Sequence, residues 1–107
     1  MADARIQVPP QVKRGESFEI KIAIRHAMET GYRVDDVGKP IPRNVIKELT
    51  CKYNGAEALR VEMSSGFAAN PFLQFYLVAR ESGELVFEWV DDLGVRGSER
   101  AAVTVTG

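Results

Sequence analysis

Apolar and polar residues alternate along most of this chain. The clearest case is residues 18–25, where Phe18, Ile20, Ile22 and Ile24 point one way and Glu19, Lys21, Ala23 and Arg25 the other. A period of two over that length predicts a half-buried strand. Ile6 and Val8 alternate with Arg5 and Gln7 in a shorter strand. Pro9-Pro10 ends it, because proline has no N–H to donate, and that suits a sheet edge. Residues 45–53 set Leu49, Cys51 and Tyr53 opposite Glu48, Thr50 and Lys52. Asn54-Gly55 follows; both residues tolerate positive φ, so a tight hairpin turn is predicted. The return strand carries Leu59, Val61 and Met63 on one face. Residues 72–79 are apolar on both faces: Leu73, Phe75 and Leu77 on one, Phe72, Tyr76 and Val78 on the other. Leu85, Phe87 and Trp89, and then Ala101, Val103 and Val105, supply two more alternating runs.

Between these runs lie turn signals. Residues 27–44 show no clear period and contain Gly31, Gly38, Pro40 and Pro42. Asp35-Asp36-Val37-Gly38 is a turn signature, and Pro40-Ile41-Pro42 must be extended. A structureless loop of that length is unusual in a compact domain, so a small hairpin is predicted inside it. Asn70-Pro71, Ser82-Gly83 and Asp91-Asp92-Leu93-Gly94 mark further turns. No segment has a helical period. The pattern predicts an all-β chain: an immunoglobulin-like antiparallel β-sandwich of about seven strands. The Cys…Trp…Cys framework of antibody domains is missing, so the likeness is one of architecture. No linker, repeat or low-complexity tract divides residues 1–107, which read as one domain.

Composition adds exclusions. The chain has 107 residues, 45% hydrophobic and 27% charged, enough to bury a core without staples. The formal net charge is −1 and the pI about 5.8. No basic footprint for nucleic acid is present, and no Lys/Arg cluster reads as a membrane patch. No stretch is long and apolar enough to span a bilayer. The N-terminal residues show no apolar run of the signal-peptide kind, which by itself predicts a cytoplasmic address. One cysteine, Cys51, makes neither an intrachain disulfide nor a multi-thiolate metal site.

The chemistry-bearing residues admit plain readings as well as sharp ones. Cys51 would need thiolate character and exposure to accept sulfur; its neighbours Leu49 and Tyr53 favour a buried, inert thiol. His26, the single histidine, could be a general base oriented by Asp35 or Asp36. A strand-end histidine bonded to backbone is the simpler reading. The two Asp-Asp-x-Gly turns lack the full spacing of a calcium loop. Hairpin chemistry accounts for both. Met28 and Tyr32 could anchor a partner or fold over the core. Phe72, Tyr76 and Val78 form either a covered sheet face or a contact surface. A two-layer sandwich covers one face of each sheet. The second face of residues 72–78 therefore calls for the 27–44 loop, a partner or another copy of the chain.

The stretch Arg25-His26-Ala27-Met28-Glu29-Thr30-Gly31-Tyr32-Arg33 resembles the SoxZ family. The resemblance continues through Ile41-Pro42-Arg43, Cys51-Lys52-Tyr53-Asn54-Gly55 and Ala68-Ala69-Asn70-Pro71-Phe72. It ends with Phe87-Glu88-Trp89-Val90-Asp91-Asp92-Leu93-Gly94. Met63-Ser64-Ser65-Gly66-Phe67 departs from the family, where a proline-containing loop is expected. The resemblance implies a non-enzymatic subunit without cofactor, paired as a heterodimer with SoxY. In bacterial thiosulfate oxidation SoxY carries sulfur intermediates on a cysteine in a flexible glycine-rich tail. The other enzymes of thiosulfate oxidation would be met transiently through that complex. A swinging carrier needs such a tail, and here Val103-Thr104-Val105-Thr106-Gly107 has no cysteine. The resemblance also implies a periplasmic address, reached by export with a signal-bearing partner. It makes Arg25, His26, Met28, Tyr32, Arg33, Phe72 and Tyr76 the candidate partner-binding residues, with a homodimer possible for the isolated chain. The competing reading is a generic Ig-like binding or accessory module. A thiol enzyme or small hydrolase using His26 and Cys51 is the weakest reading.

Overall fold

A computed structural model describes residues 4–63 and 69–107; the departure noted at residues 63–67 lies mostly outside them. Among the described residues eight strands form two sheets: β1 (Ala4–Gln7), β2 (Gln11–Lys13), β3 (Ser17–Ile24), β4 (Ile46–Tyr53), β5 (Ala56–Glu62), β6 (Phe72–Val78), β7 (Gly83–Asp91) and β8 (Arg96–Thr106). One sheet has the order β1-β3-β6 and the other β2-β8-β7-β4-β5. The expected Ig-like sandwich is present. Two details differ from the sequence reading. The eighth strand, β2, is three residues long, too short to show a period. It pairs parallel to β8, through Val12 opposite Val105, so the second sheet is not wholly antiparallel. Pro9-Pro10 explains why: it ends pairing in the first sheet, and the chain resumes along the edge of the second. The last strand also begins earlier than Ala101, because Arg96 to Arg100 pair with β7 although Gly97 and Ser98 weaken the pattern.

The core follows from the alternation. Phe18, Ile20, Ile22 and Ile24 of β3 are buried, as are Leu49 and Cys51 of β4 and Leu85, Phe87 and Trp89 of β7. Each large apolar side chain buried this way contributes about 1.5–3 kcal/mol. Edge-on aromatic pairs join the sheets: Phe18 with Tyr53 and Phe75 with Phe87, ring centroids 6.3 and 6.1 Å apart. The outer face of the five-stranded sheet is a ladder of opposite charges, Arg60 with Glu48 and Glu57, Lys52 with Glu88, and Arg100 with Glu84. It is a solvated face.

The predicted hairpin in residues 27–44 exists. Glu29 pairs with Asn44 and Val34 with Pro40, and residues 31–40 are all exposed. From the Glu29–Asn44 pair to the Asp36 tip, about 3.3 Å per residue gives an arm of roughly 25 Å. That length, added to the strands, accounts for a molecule measuring 60 × 22 × 19 Å.

Gly97 illustrates how tightly β7 and β8 fit. A Cβ there would stand 2.3 Å from Cε2 of Trp89, so the indole lies where a side chain would be. Gly97→Val should therefore displace Trp89 and destabilise the fold by about 1–3 kcal/mol, the usual cost of overpacking. Urea unfolding monitored by tryptophan fluorescence measures it; an unchanged midpoint would contradict the packing described.

Candidate partner-binding surface

His26 follows β3 at one end of the sandwich. Its Nδ1 accepts the Met28 N–H at 2.9 Å, which assigns the ring proton to Nε2; that proton is donated to Asp91 Oδ2 at 3.2 Å. Its backbone N–H donates to Asn70 Oδ1, and its carbonyl accepts the Asn70 N–H. Both ring nitrogens are engaged, so neither is left to act on a substrate. Asp35 and Asp36 are not the orienting groups. Asp35 instead accepts the amides of Val37 and Lys39 and closes its own turn. The backbone-bonded reading of His26 is the one the geometry gives, with Asp91 added.

Asp91, the last residue of β7, is buried. Its Oδ1 accepts the amides of Leu93 and Val95, closing the second Asp-Asp-x-Gly turn. Burial by itself would raise this carboxyl. The Val95 amide, His26, Asn44 and the Leu93 amide outweigh it and hold the group below the ordinary carboxylate range. The turn signature was legible in the sequence; its pairing with a histidine 65 residues away was not.

The arm is rooted here. Met28 is 4% exposed, holds a positive φ of 51°, and its Sδ accepts the Ile46 N–H at 3.4 Å. It belongs to the core and offers a partner no surface in the free chain. Arg33 is tied to Glu29 at 2.7 Å, and Arg43 lies 3.5 Å from Asp92. Tyr32, at 89% exposure, stands out from the arm, and Arg25 is exposed beside its root. Leu93 and Val95, 68% and 61% exposed on the neighbouring turn, add apolar surface that the sequence reading did not single out.

Phe72 and Tyr76 form a second group. They point outward from β6 with Val78, while Leu73, Phe75 and Leu77 turn to the core. The Tyr76 hydroxyl donates to Glu19 at 2.9 Å; this bond, with Lys21 and Gln74, outweighs the opposing effect of burial and lowers the Glu19 carboxyl. Phe72 sits opposite Ala23 and next to Pro71, whose carbonyl accepts the Ile24 N–H. It thus lies near Arg25 and connects the arm end to the β6 stripe.

Cys51 is fully buried on the inner face of β4, and burial pushes its thiol up to about 12. Among the described residues no group of three or more His, Cys, Asp or Glu side chains is placed to hold a metal ion. Among the described residues no helix is long and apolar enough to cross a membrane.

Comparison with known proteins bears on this geometry. The sequence matches the family described as Sulphur oxidation protein SoxZ over residues 6–102. The chain belongs to the SoxZ family. No curated protein matches it. Among solved structures, the sulfur carrier protein SoxY from Chlorobium limicola f thiosulfatophilum superposes with a TM-score of 0.68 at 10% identity. The match covers all of this chain and 82% of that one. A superoxide reductase (neelaredoxin) from Ignicoccus hospitalis gives a TM-score of 0.74 at 20% identity, covering 96% of this chain and 80% of that one. A neelaredoxin variant from Archaeoglobus fulgidus gives 0.62 at 17% identity, covering 96% and 88%. At such identities these likenesses speak for the fold. This chain and that SoxY therefore share one sandwich architecture.

The lowered Asp91 carboxyl has a pH consequence. A group with a depressed folded value stabilises the fold above its unfolded value and loses that contribution as pH falls through the folded one. Stability should thus decline below about pH 4 in part through Asp91. Asp91→Asn should cost about 2 kcal/mol at neutral pH, since hydrogen bonds to a charged group contribute roughly 1.5–3 kcal/mol. It should also flatten the acid limb. Chemical denaturation of both proteins between pH 3 and 7 checks this; parallel pH profiles would refute it.

Proposed function

We propose that this chain is the non-enzymatic partner subunit of a SoxY-like sulfur carrier, forming a heterodimer that serves thiosulfate oxidation. The observation that carries the reading is the SoxZ family match across residues 6–102. Cys51 supports it: a thiolate is what accepts sulfur, and this thiol is buried and held protonated. His26 supports it as well, with both nitrogens committed to the fold. The cargo cysteine belongs to the partner, and this chain supplies a rigid body for it. The reading requires no cofactor. Other enzymes of the pathway meet the chain transiently, through the complex.

The arm and the β7–β8 turn beside its root are the docking region we favour, because Tyr32, Leu93 and Val95 are exposed there and the root is tied to that turn through His26–Asp91 and Arg43–Asp92. Large amphipathic and apolar side chains of that kind form interface anchors. Mixing the chain with a SoxY-like subunit should give a stable one-to-one complex by sedimentation. Tyr32→Ala should weaken it by about 2 kcal/mol, near thirty-fold in affinity, if Tyr32 is a hot spot, while leaving the melting curve unchanged. Intact mass after turnover with thiosulfate should show the adduct on the partner. An adduct on Cys51, or no complex at all, would overturn the proposal.

The working compartment we propose is the periplasm, reached together with a signal-bearing partner. In a sulfur-oxidising bacterium the chain should fractionate with periplasmic markers, and deletion of the partner gene should leave it in the cytoplasm. Unchanged fractionation after that deletion would contradict co-export.

A further inference from the structure

Exposed strand edges invite pairing, and proteins guard them with short length, charge, proline or a bulge. Among the described residues four strands form the sheet edges: β1 and β6 in one sheet, β2 and β5 in the other. β1 has four residues, includes Arg5 and runs towards Pro9-Pro10. β2 has three and ends in Lys13. β5 carries Glu57, Arg60 and Glu62, and its register slips opposite Cys51 and Lys52. β6, Phe-Leu-Gln-Phe-Tyr-Leu-Val, has seven residues, no charge, no proline and no register slip against β3.

The hydrogen-bond phase of β6 is fixed by its ladder with β3. Ile24 donates to the Pro71 carbonyl, and Ala79 donates to the Glu16 carbonyl. Bonded and non-bonded pairs alternate in an antiparallel ladder. Leu73, Phe75 and Leu77 therefore direct their backbone groups to β3, opposite Ile22, Ile20 and Phe18. Phe72, Gln74, Tyr76 and Val78 direct theirs to the open edge. These are also the residues whose side chains face outward.

We propose that this edge pairs antiparallel with the β6 edge of a second copy of the chain, about a two-fold axis through Phe75. In that register Phe72 opposes Val78 of the other copy, and Gln74 opposes Tyr76. Every open-edge amide and carbonyl then finds a partner, since all four residues have their backbone groups in the required phase. On the outer face, apolar meets apolar and amide meets hydroxyl; on the inner face, Leu73 meets Leu77 and Phe75 meets itself. No charge opposes a like charge. The product is a continuous six-stranded sheet, β1-β3-β6 of one copy joined to β6-β3-β1 of the other.

Area defines how the copies sit. Phe72, Tyr76 and Val78 are 56, 61 and 49% exposed. At roughly 150–250 Å² per aromatic side chain they leave on the order of 300 Å² open. A specific interface needs about 500 Å² per partner. The stripe alone falls short, so the second copy must also fill the groove of about 480 Å³ beside it, whose lining includes Tyr53, Ala56, Glu57, Tyr76, Val78 and Arg80. Pairing at β6 puts it there. This self-pairing goes beyond the heterodimer proposed above and is tested without the SoxY-like subunit.

Sedimentation equilibrium of the isolated chain over a hundred-fold concentration range, with amide hydrogen exchange at both ends of it, is the test. A dimer is expected, with protection of the Phe72, Gln74, Tyr76 and Val78 amides rising with concentration. Gln74→Pro removes an amide that β3 does not use, and Tyr76→Lys places two cations across the seam. Each should weaken the dimer at least ten-fold. Tyr76→Lys, at an exposed position, keeps the test valid if the proline variant does not fold. A monomer at the highest concentration would overturn the proposal, as would a dimer indifferent to Tyr76→Lys. Protection of these amides only on adding a SoxY-like subunit would also overturn it, and would give the edge to that partner.

Discussion

A buried carboxylate needs partners, and one end of this sandwich is assembled around the need. Asp91 is buried at the end of β7, where an unpaired charge is costly. It is satisfied by the two amides of its own turn, by Asn44 and by the His26 ring. Because His26 spends Nε2 on Asp91, Nδ1 is left to accept the Met28 amide. Met28 is thereby held at a positive φ, a conformation few L-residues adopt unaided. Its sulfur in turn accepts the first amide of β4. The β7–β8 turn, the end of β3, the root of the arm and the start of β4 are thus links in one chain of hydrogen bonds.

That chain explains why an exposed arm can be a docking element. Residues 31–40 have no burial to fix them, so the arm's direction is set at its root. The root is a set of buried, mutually dependent polar contacts of the kind that specify one arrangement. A tyrosine carried on such an arm pays less conformational entropy on binding than one on a free loop. Glu29, Arg33, Arg43 and Asp92 brace the same root from outside, at lower energy because they are more exposed.

The two outer faces divide the labour. The five-stranded sheet shows water a ladder of paired charges. The three-stranded sheet ends in β6, which has neither charge nor proline. This chain and the SoxY from Chlorobium limicola f thiosulfatophilum share a sandwich architecture.

Local pattern alone determined the sandwich. Alternation at Phe18, Ile20, Ile22 and Ile24 and at Leu85, Phe87 and Trp89 reports burial directly, because a strand's side chains reverse face at every residue. Asn54-Gly55 and the two Asp-Asp-x-Gly turns were legible for the same reason: their chemistry is local. The block around His26 was enough to place the chain with the SoxZ family. Tertiary structure decided the rest. β2 is too short to carry a period, and Val12 finds its parallel partner Val105 only because the chain ends meet. Met28 and Tyr32 looked equivalent, two large side chains on one loop. Folding buried Met28 and exposed Tyr32, because Met28 falls against the start of β4. His26 looked to Asp35 or Asp36 for an acid, but those lie out on the arm. The acid that reached it, Asp91, was brought there by packing β7 against β4 and by the close of the sandwich. Contacts between residues that far apart leave no mark on either local pattern, since each stretch encodes its own conformation and not what will stand opposite it.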